Sequence, residues 1–302
     1  GVKKASLRQN NCNMSKIYGF GNALVDIEIQ IDEDQLITIG IPKGSMKHIG
    51  IDEKEELLKK YKDSIKTKNP GGSIANSLFA AESFGVSTCF SCFLGDDDNG
   101  KIFIDSYDDE SKISFKFSEK PTGVCLVFIT PDGERTMASN LSANYQLSEE
   151  CIDISKLKAC EYLLFDNFSL ATDSGSKTVD YCLDNINNDV KVCFGLSDTS
   201  LISENLEKIK KLSEKNIYCL SGNEYEHAEL ESKTEFICQN KLISFGKDGA
   251  SINEQKVQAP EINLVNTNGA GDSLLGAFIA LKNRLGDRKA IEKAVHYSTK
   301  IC

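Results

Sequence analysis

No stretch of this 302-residue chain is apolar for long enough to span a bilayer, which takes about 20 residues, so a soluble protein without a membrane partner is expected. Positive charge is also in short supply: 35 Lys and Arg stand against 45 Asp and Glu, leaving a net charge of −10. An acidic surface repels phosphate backbones, which argues against a nucleic-acid partner. Histidine occurs only as His48, His227 and His296, at spacings that suit neither a zinc-protease helix nor an evident catalytic triad. Each is expected to be structural or exposed. Eleven cysteines are present, but the count is odd, the spacing forms no framework and no secretory leader is evident. That pattern points to a reducing, cytoplasmic setting in which the thiols are small buried hydrophobes. Cys89 and Cys92 have the spacing of half a zinc site, yet they lie in a predicted strand and lack a second pair.

What is present is an alternation of strand and helix. Apolar strand-like runs occur at Thr88 to Leu94, Tyr162 to Phe165, Val190 to Phe194, Ile217 to Leu220 and Leu242 to Phe245, with amphipathic segments between most of them. Such alternation predicts an α/β fold, a mainly parallel sheet sandwiched by helices. Residues 25–49 and 113–137 depart from it, and their alternation and turns suggest a small antiparallel sheet. With 40% hydrophobic residues, the chain suffices for one large α/β domain over 14–302. Residues 1–13 are polar and patternless, and read as a disordered or non-native leader ahead of Met14.

Chemistry concentrates in three stretches. Asn266-Thr-Asn-Gly-Ala-Gly-Asp272 is followed at once by an amphipathic run from Ser273 to Leu285. A glycine-rich turn that opens a helix aims unpaired backbone N–H groups and the positive dipole end at one point, which attracts phosphate. Asp272 adds a carboxylate able to take a proton from a hydroxyl. Taken alone, the same residues are also ordinary helix caps. The second stretch, Asn69 to Gly85, sets Gly71 and Gly72 before a helix that carries Asn76. In the third, Gly19 to Ile31, the chain turns at Gly21-Asn22 and resumes as a strand with Asp26 opposite the apolar stripe Val25, Ile27, Ile29 and Ile31. Two tempting motifs fail. Gly95 to Lys101 opens like a P-loop, but Ile102 replaces the metal-binding hydroxyl and Asp96, Asp97 and Asp98 would repel phosphate; Gly19-Phe-Gly21 lacks the third glycine of a dinucleotide fingerprint.

From about Ile17 onward the chain resembles the ribokinase-like (PfkB) family of carbohydrate and nucleoside kinases. Residues 266–272 match that family's Asp-Thr-x-Gly-Ala-Gly-Asp in all but the first letter, where Asn266 stands. Gly71, Gly72 and Asn76 match its N-terminal signature, Asn223 and Glu226 its Asn-x-x-Glu, Ser244 to Gly249 its nucleotide loop, and Gly95 to Gly100 its Gly-x-Asp-x-x-Gly turn. The resemblance implies ATP and Mg²⁺ as cofactors, with a monovalent cation such as K⁺ as a further one. It makes Asp272 the base, with Gly269, Ala270 and Gly271 as the anion hole. Asn22, Asp26, Gly71, Gly72 and Asn76 would hold the substrate. Asn223, Ser244, Gly246, Gly249 and Thr267 would bind the nucleotide, and Glu226 the metal through water. The two atypical segments, 25–49 and 113–137, would form a lid over the sugar.

Arg135 lies in a predicted hairpin turn. Two readings stand side by side: a phosphate contact, as the resemblance implies, or a pairing with Glu134 or Asp132. Gly-Asn-x-Leu-x-Asp-Ile at 21–27 is closest to the adenosine-kinase branch, so an adenosine-like nucleoside is the expected small-molecule substrate. A free sugar such as ribose or fructose is the alternative, and a catalytically impaired nucleotide binder, suggested by Asn266, is another. Phe115, Phe117, Phe128 and Tyr145 are candidates for a base-stacking aromatic. A monomer or homodimer is expected. The helical pattern at the C-terminus stops without a cap, where the family usually continues through another helix.

Overall fold

A computed structural model of the chain describes residues 16–260 and 269–301. The chain opens with β1 (Ile17–Phe20), β2 (Leu24–Gln30), α1 (Glu33–Ile39), β3 (Met46–His48), α2 (Ile51–Lys60), β4 (Ile65–Gly71) and α3 (Ser73–Glu82). It continues through β5 (Thr88–Gly95), α4 (Asp98–Asp105), β6 (Ile113–Ser118), β7 (Gly123–Ile129), β8 (Arg135–Asn140), α5 (Ile154–Ala159), β9 (Tyr162–Asp166), α6 (Asp173–Asn185) and β10 (Lys191–Gly195). The last part holds α7 (Thr199–Glu204), α8 (Leu206–Ser213), β11 (Ile217–Asn223), α9 (Glu224–Lys233), β12 (Asn240–Ser244), β13 (Ala250–Ile252), β14 (Gln255–Val257) and α10 (Ala270–Ile301), which a left-handed Gly286 breaks into two helical segments.

The described residues form a nine-stranded sheet in the order β14-β13-β12-β11-β10-β9-β1-β5-β6 and a five-stranded sheet in the order β3-β8-β7-β2-β4. In the large sheet, β12 to β6 pair in parallel, and only β13 and β14 turn back antiparallel. The strands are rich in Cys, Phe, Leu and Ile and buried on both faces, as a helix-covered parallel sheet requires. Ile74, Leu78 and Ala81 of α3 and Leu274, Phe278 and Leu281 of α10 belong to one core cluster. Val179, Ile209 and Leu230 of the helices α6, α8 and α9 belong to the other. From β1 the chain builds β5 and β6 on one side, then crosses to build β9 to β12 on the other. The gap between the carboxyl ends of β1 and β9 is therefore a topological switch point, where an open α/β sheet offers a crevice.

The small sheet stands on that end. Val25, Ile27, Ile29, Val124, Leu126, Phe128 and Ala138 line its buried face, in one core cluster with Leu36, Leu57, Tyr61 and Phe103. Its other face carries the alternate residues Asp26, Glu28, Cys125, Arg135 and Ser139.

The small sheet differs from the expected lid in four respects. Residues 113–118, expected in the lid, form β6 at the edge of the large sheet, paired in parallel with β5. Alternation marks a half-buried strand but not the sheet that receives it. The small sheet is mixed rather than antiparallel, because β2 pairs with β7 and β3 with β8 in parallel. Long excursions of the chain separate the partners, which is what a parallel pairing needs. Residues 33–39, inside the first lid segment, are α1, started by a reciprocal capping box between Asp32 and Gln35. Finally, β4 reads Ile-Lys-Thr-Lys-Asn-Pro-Gly; lysines and proline suit an exposed edge strand and hide it from a hydrophobic-pattern search.

Candidate active site

Two helix N-termini converge at the switch point. Gly269, at φ 72°, reverses the chain into α10, a left-handed conformation that costs glycine nothing. The first intrahelical bond runs from Ser273 N–H to Gly269 O, so the amides of 270–272 precede it and have no acceptor within the helix. Gly72, at φ 104°, makes the equivalent turn into α3, and a Cβ there would collide with the carbonyl oxygen of Asn22. Asn22 is thus a wall of this turn.

α3 hands its first turn to Asp272. Ser73 Oγ donates to Asp272 Oδ1 at 2.6 Å, Asn76 Nδ2 to Oδ2 at 3.4 Å, and Ser77 Oγ to the Asp272 carbonyl at 2.8 Å. The helices approach so closely that a Cβ on Gly276 would strike the Ser77 carbonyl oxygen. Burial raises the pKa of Asp272, and the bonds from Ser73 and Asn76 oppose that rise by stabilising the carboxylate.

Other carboxylates crowd the same point. Asp26 lies so close beneath Gly71 that a Cβ there would be 2.7 Å from its oxygens. Desolvation pushes Asp26 up to about 7; Arg135 pulls it down, and Asp272 and Glu28 add to the rise. Asp166, at the end of β9, is also pushed up to about 7 by burial, eased by a hydrogen bond from Ser169 N–H, with the Asp272 charge adding to the rise. Arg135 Nη2 bonds Glu28 Oε1 at 3.0 Å. Since Arg135 pairs with Ile129 and Glu28 with Val127, this ion pair crosses β7 diagonally above Val127, which is 1% exposed.

On the far side of Asp272 a cavity of about 1430 Å³ runs past Asn223, Glu226, Ser244, Gly246, Gly249 and residues 269–272. Asn223 and Glu226 form a reciprocal cap at the start of α9: Glu226 N–H donates to Asn223 Oδ1 at 2.9 Å and Asn223 N–H to Glu226 Oε2 at 2.8 Å. Burial raises the pKa of Glu226. Gly246 and Gly249 have φ of 55° and 92°, the turn geometry that needs glycine. Among the described residues no three His, Cys, Asp or Glu side chains are grouped to hold a metal ion.

The fold thus gathers Asp272, Gly269, Ala270, Gly271, Asn22, Asp26, Gly71, Gly72 and Asn76 at one point, and Asn223, Glu226, Ser244, Gly246 and Gly249 around the adjoining cavity. Asn266 and Thr267 lie outside the described residues. The Arg135 guanidinium pairs with neither Glu134 nor Asp132: Asp132 is taken by Lys43 at 2.7 Å, the guanidinium reaches Glu28, and only the Arg135 backbone N–H donates to Glu134 Oε1, at 3.3 Å. Phe128 is fully buried on the helix side of the lid, so it does not face the cleft. Phe115 and Phe117 pack on each other on β6. Tyr145 lies after β8, with Lys120 over its ring at 5.9 Å.

Sequence reasoning passed over Ser73, Asp166 and Glu28. The Ser-x-x-x-Ser spacing at 73–77, which places two hydroxyls on one helix face, was the available signal for the first. Asp97, within the Gly95 to Gly100 turn, caps α4 through Gly100 N–H and also accepts from Thr122 N–H and Oγ1. It clamps the entry to β7. The described cysteines are free thiols, all buried except the half-buried Cys238.

Residues 45–301 match the family model described as pfkB family carbohydrate kinase. Among curated proteins the chain is similar to the aminoimidazole riboside kinase of Salmonella typhimurium, 26% identical over 240 residues that cover 72% of this chain and 75% of that one. It is also similar to the ribokinase of Mus musculus, 23% identical, with 69% of each chain covered. Among solved structures the fold resembles an adenosine kinase from Sinorhizobium meliloti, with a TM-score of 0.84 at 21% identity, covering 95% of this chain and 93% of that one.

Proposed function

Because this chain belongs to the pfkB family of carbohydrate kinases, ATP-dependent phosphotransferases, we propose that it phosphorylates the hydroxymethyl group of an adenosine-like nucleoside. The observation that carries this reading is Asp272, held by Ser73 and Asn76 between the α10 amides and the lid. Asp272 takes the proton of the acceptor hydroxyl as its oxygen bonds to the terminal phosphorus. The bond from that phosphorus to the bridging oxygen breaks, and ADP leaves with the electron pair. Amides of Gly269, Ala270 and Gly271 offset the charge on the transferring oxygens, the largest contribution expected in such chemistry.

The donor set suits Mg²⁺ held mainly by phosphates and water, since Glu226 is engaged in its cap and no three-carboxylate cage exists among the described residues. Bound there, the ion would neutralise phosphate charge, with Asn223 and Glu226 orienting its waters. Ser244, Gly246, Gly249 and Thr267 are assigned to the nucleotide, and a K⁺ requirement is read by exchanging K⁺ for Na⁺. Asp26, Asn22, Gly71, Gly72 and Asn76 are assigned to the acceptor. Arg135 is assigned to the lid beside Asp26.

The acceptor is neutral. The one guanidinium beside Asp26 is matched by Glu28, Asp272 adds a negative charge, and Asp26 and Asp166 add theirs as pH climbs through about 7, so a phosphosugar is disfavoured. A riboside is further supported by the names of the relatives: two act on riboside or ribose, and the solved structure is an adenosine kinase. The test is ADP release with a panel of nucleosides, free sugars and phosphosugars. Turnover with nucleosides, reduced about 10²- to 10⁴-fold in Asp272→Asn, is expected. Turnover only with ribose or fructose would select the sugar-kinase alternative. No turnover with any acceptor would leave a nucleotide-binding protein, and full activity in Asp272→Asn would remove the base.

A further inference from the structure

On the cleft side of the lid one row of side chains crosses all five strands. Asn69 on β4 pairs with Asp26 on β2, Asp26 with Cys125 on β7, Cys125 with Ser139 on β8, and Ser139 with His48 on β3. Directly paired residues project from the same face, so all five share the face of the sheet that carries Asp26. The far end of the row is built: Ser139 Oγ and His48 Nδ1 are hydrogen-bonded at 2.7 Å, Ser139 is 3% exposed, and the His48 ring is open to solvent. With Nδ1 engaged, Nε2 on the opposite edge of the ring is the atom free to meet a ligand.

Strands lie about 4.8 Å apart, so His48 stands about 14 Å from Asp26; a hydrogen bond of about 2.8 Å at each end leaves roughly 8 Å for a ligand. A lone furanose is too short for that gap. A nucleoside, measured from its 2′,3′-hydroxyls to the outer edge of its base, fills it. We propose that His48, positioned by Ser139, reads the polar edge of the nucleoside base, while Asp26 holds the ribose. His48 contacts the ligand and is a specificity determinant; Ser139 acts through His48 and is a positioning residue. Neither takes part in phosphoryl transfer.

This assignment rests on the nucleoside reading, and the experiment separates the two. kcat and KM are measured for adenosine in wild type, His48→Ala, Ser139→Ala and Ser139→Thr. Methyl β-riboside, which keeps the sugar and lacks the base, is measured alongside as substrate or competitive inhibitor. Loss of one hydrogen bond to a neutral group should raise KM for adenosine by about three- to tenfold in His48→Ala and Ser139→Ala, with kcat little changed. Ser139→Thr should restore it, and methyl β-riboside should bind all four proteins alike. An equal change for both ligands, or none for adenosine, overturns the role of His48 while leaving the kinase reading intact. Failure of wild type to phosphorylate any nucleoside overturns the nucleoside reading itself.

Discussion

Replacing Ser73 by Ala removes the shorter of the two side-chain hydrogen bonds to the Asp272 carboxylate, made at 2.6 Å with the hydroxyl as donor. Hydrogen bonds to charged groups contribute about 1.5–3 kcal/mol, and a tenfold change in an equilibrium corresponds to about 1.4 kcal/mol. As the proposed base, Asp272 can act only when ionised, so activity should fall as pH drops through its pKa. Burial already raises that pKa, and losing the Ser73 donor raises it further. The acidic limb of the kcat/KM profile should therefore move up by roughly one to two pH units in Ser73→Ala, from the quotient of those energies. Activity should recover toward the wild-type level at alkaline pH. The assay is initial-rate ADP release from pH 5 to 9, with urea unfolding of each protein as a control on folding. An acidic limb that stays in place in a stably folded Ser73→Ala would refute the argument that this hydroxyl keeps the base ionised.

Two further outcomes follow from the same geometry. Gly276→Ala forces a methyl group against the Ser77 carbonyl where α3 and α10 meet, and neither backbone can yield without moving the other. Urea unfolding should show a loss of about 1–3 kcal/mol, and an unchanged midpoint would mean that the helices can separate freely. Asp26 and Asp166 rise from 3.8 to about 7 on folding, so the native state holds protons that the unfolded chain releases. Their contribution to stability is complete below about 4 and is lost as pH climbs through about 7. The ligand-free protein should thus be more stable at pH 5 than at pH 8. Asp26→Asn should flatten that slope, and a wild-type slope of the opposite sign would contradict these assignments.

The large sheet was legible because its strands are short apolar blocks buried on both faces, and the expected boundaries at Thr88, Tyr162 and Ile217 agree with β5, β9 and β11. The lid was half legible. β2 announces itself through Val25, Ile27 and Ile29, whereas β4 is polar and exposed and becomes a strand only because β2 offers it a partner. The glycines and Asp272 were readable because a left-handed turn into a helix needs specific residues. Ser73 was not, since a serine opening a helix is commonplace until the second helix that it serves is in place. Asp166 escaped for a related reason: an acidic residue closing an apolar strand looks like a cap, and it does cap the turn at Ser169. Its proximity to Asp272 arises only when β9 is laid beside β1. Arg135 was placed in its hairpin turn, but its partner Glu28 is 107 residues away and two strands across.

The crowding of acidic groups around the acceptor has a consequence for turnover. An uncharged alcohol enters this pocket without electrostatic cost, but the ester formed there carries about two negative charges near neutral pH. Once Asp272, as the proposed base, passes on the proton it has taken, its carboxylate faces that anion, joined by Asp26 and Asp166 as pH climbs through about 7, with the one guanidinium already committed to Glu28. On the proposed reading, phosphoryl transfer turns an uncharged guest into one that these carboxylates disfavour, which helps release the finished phosphate.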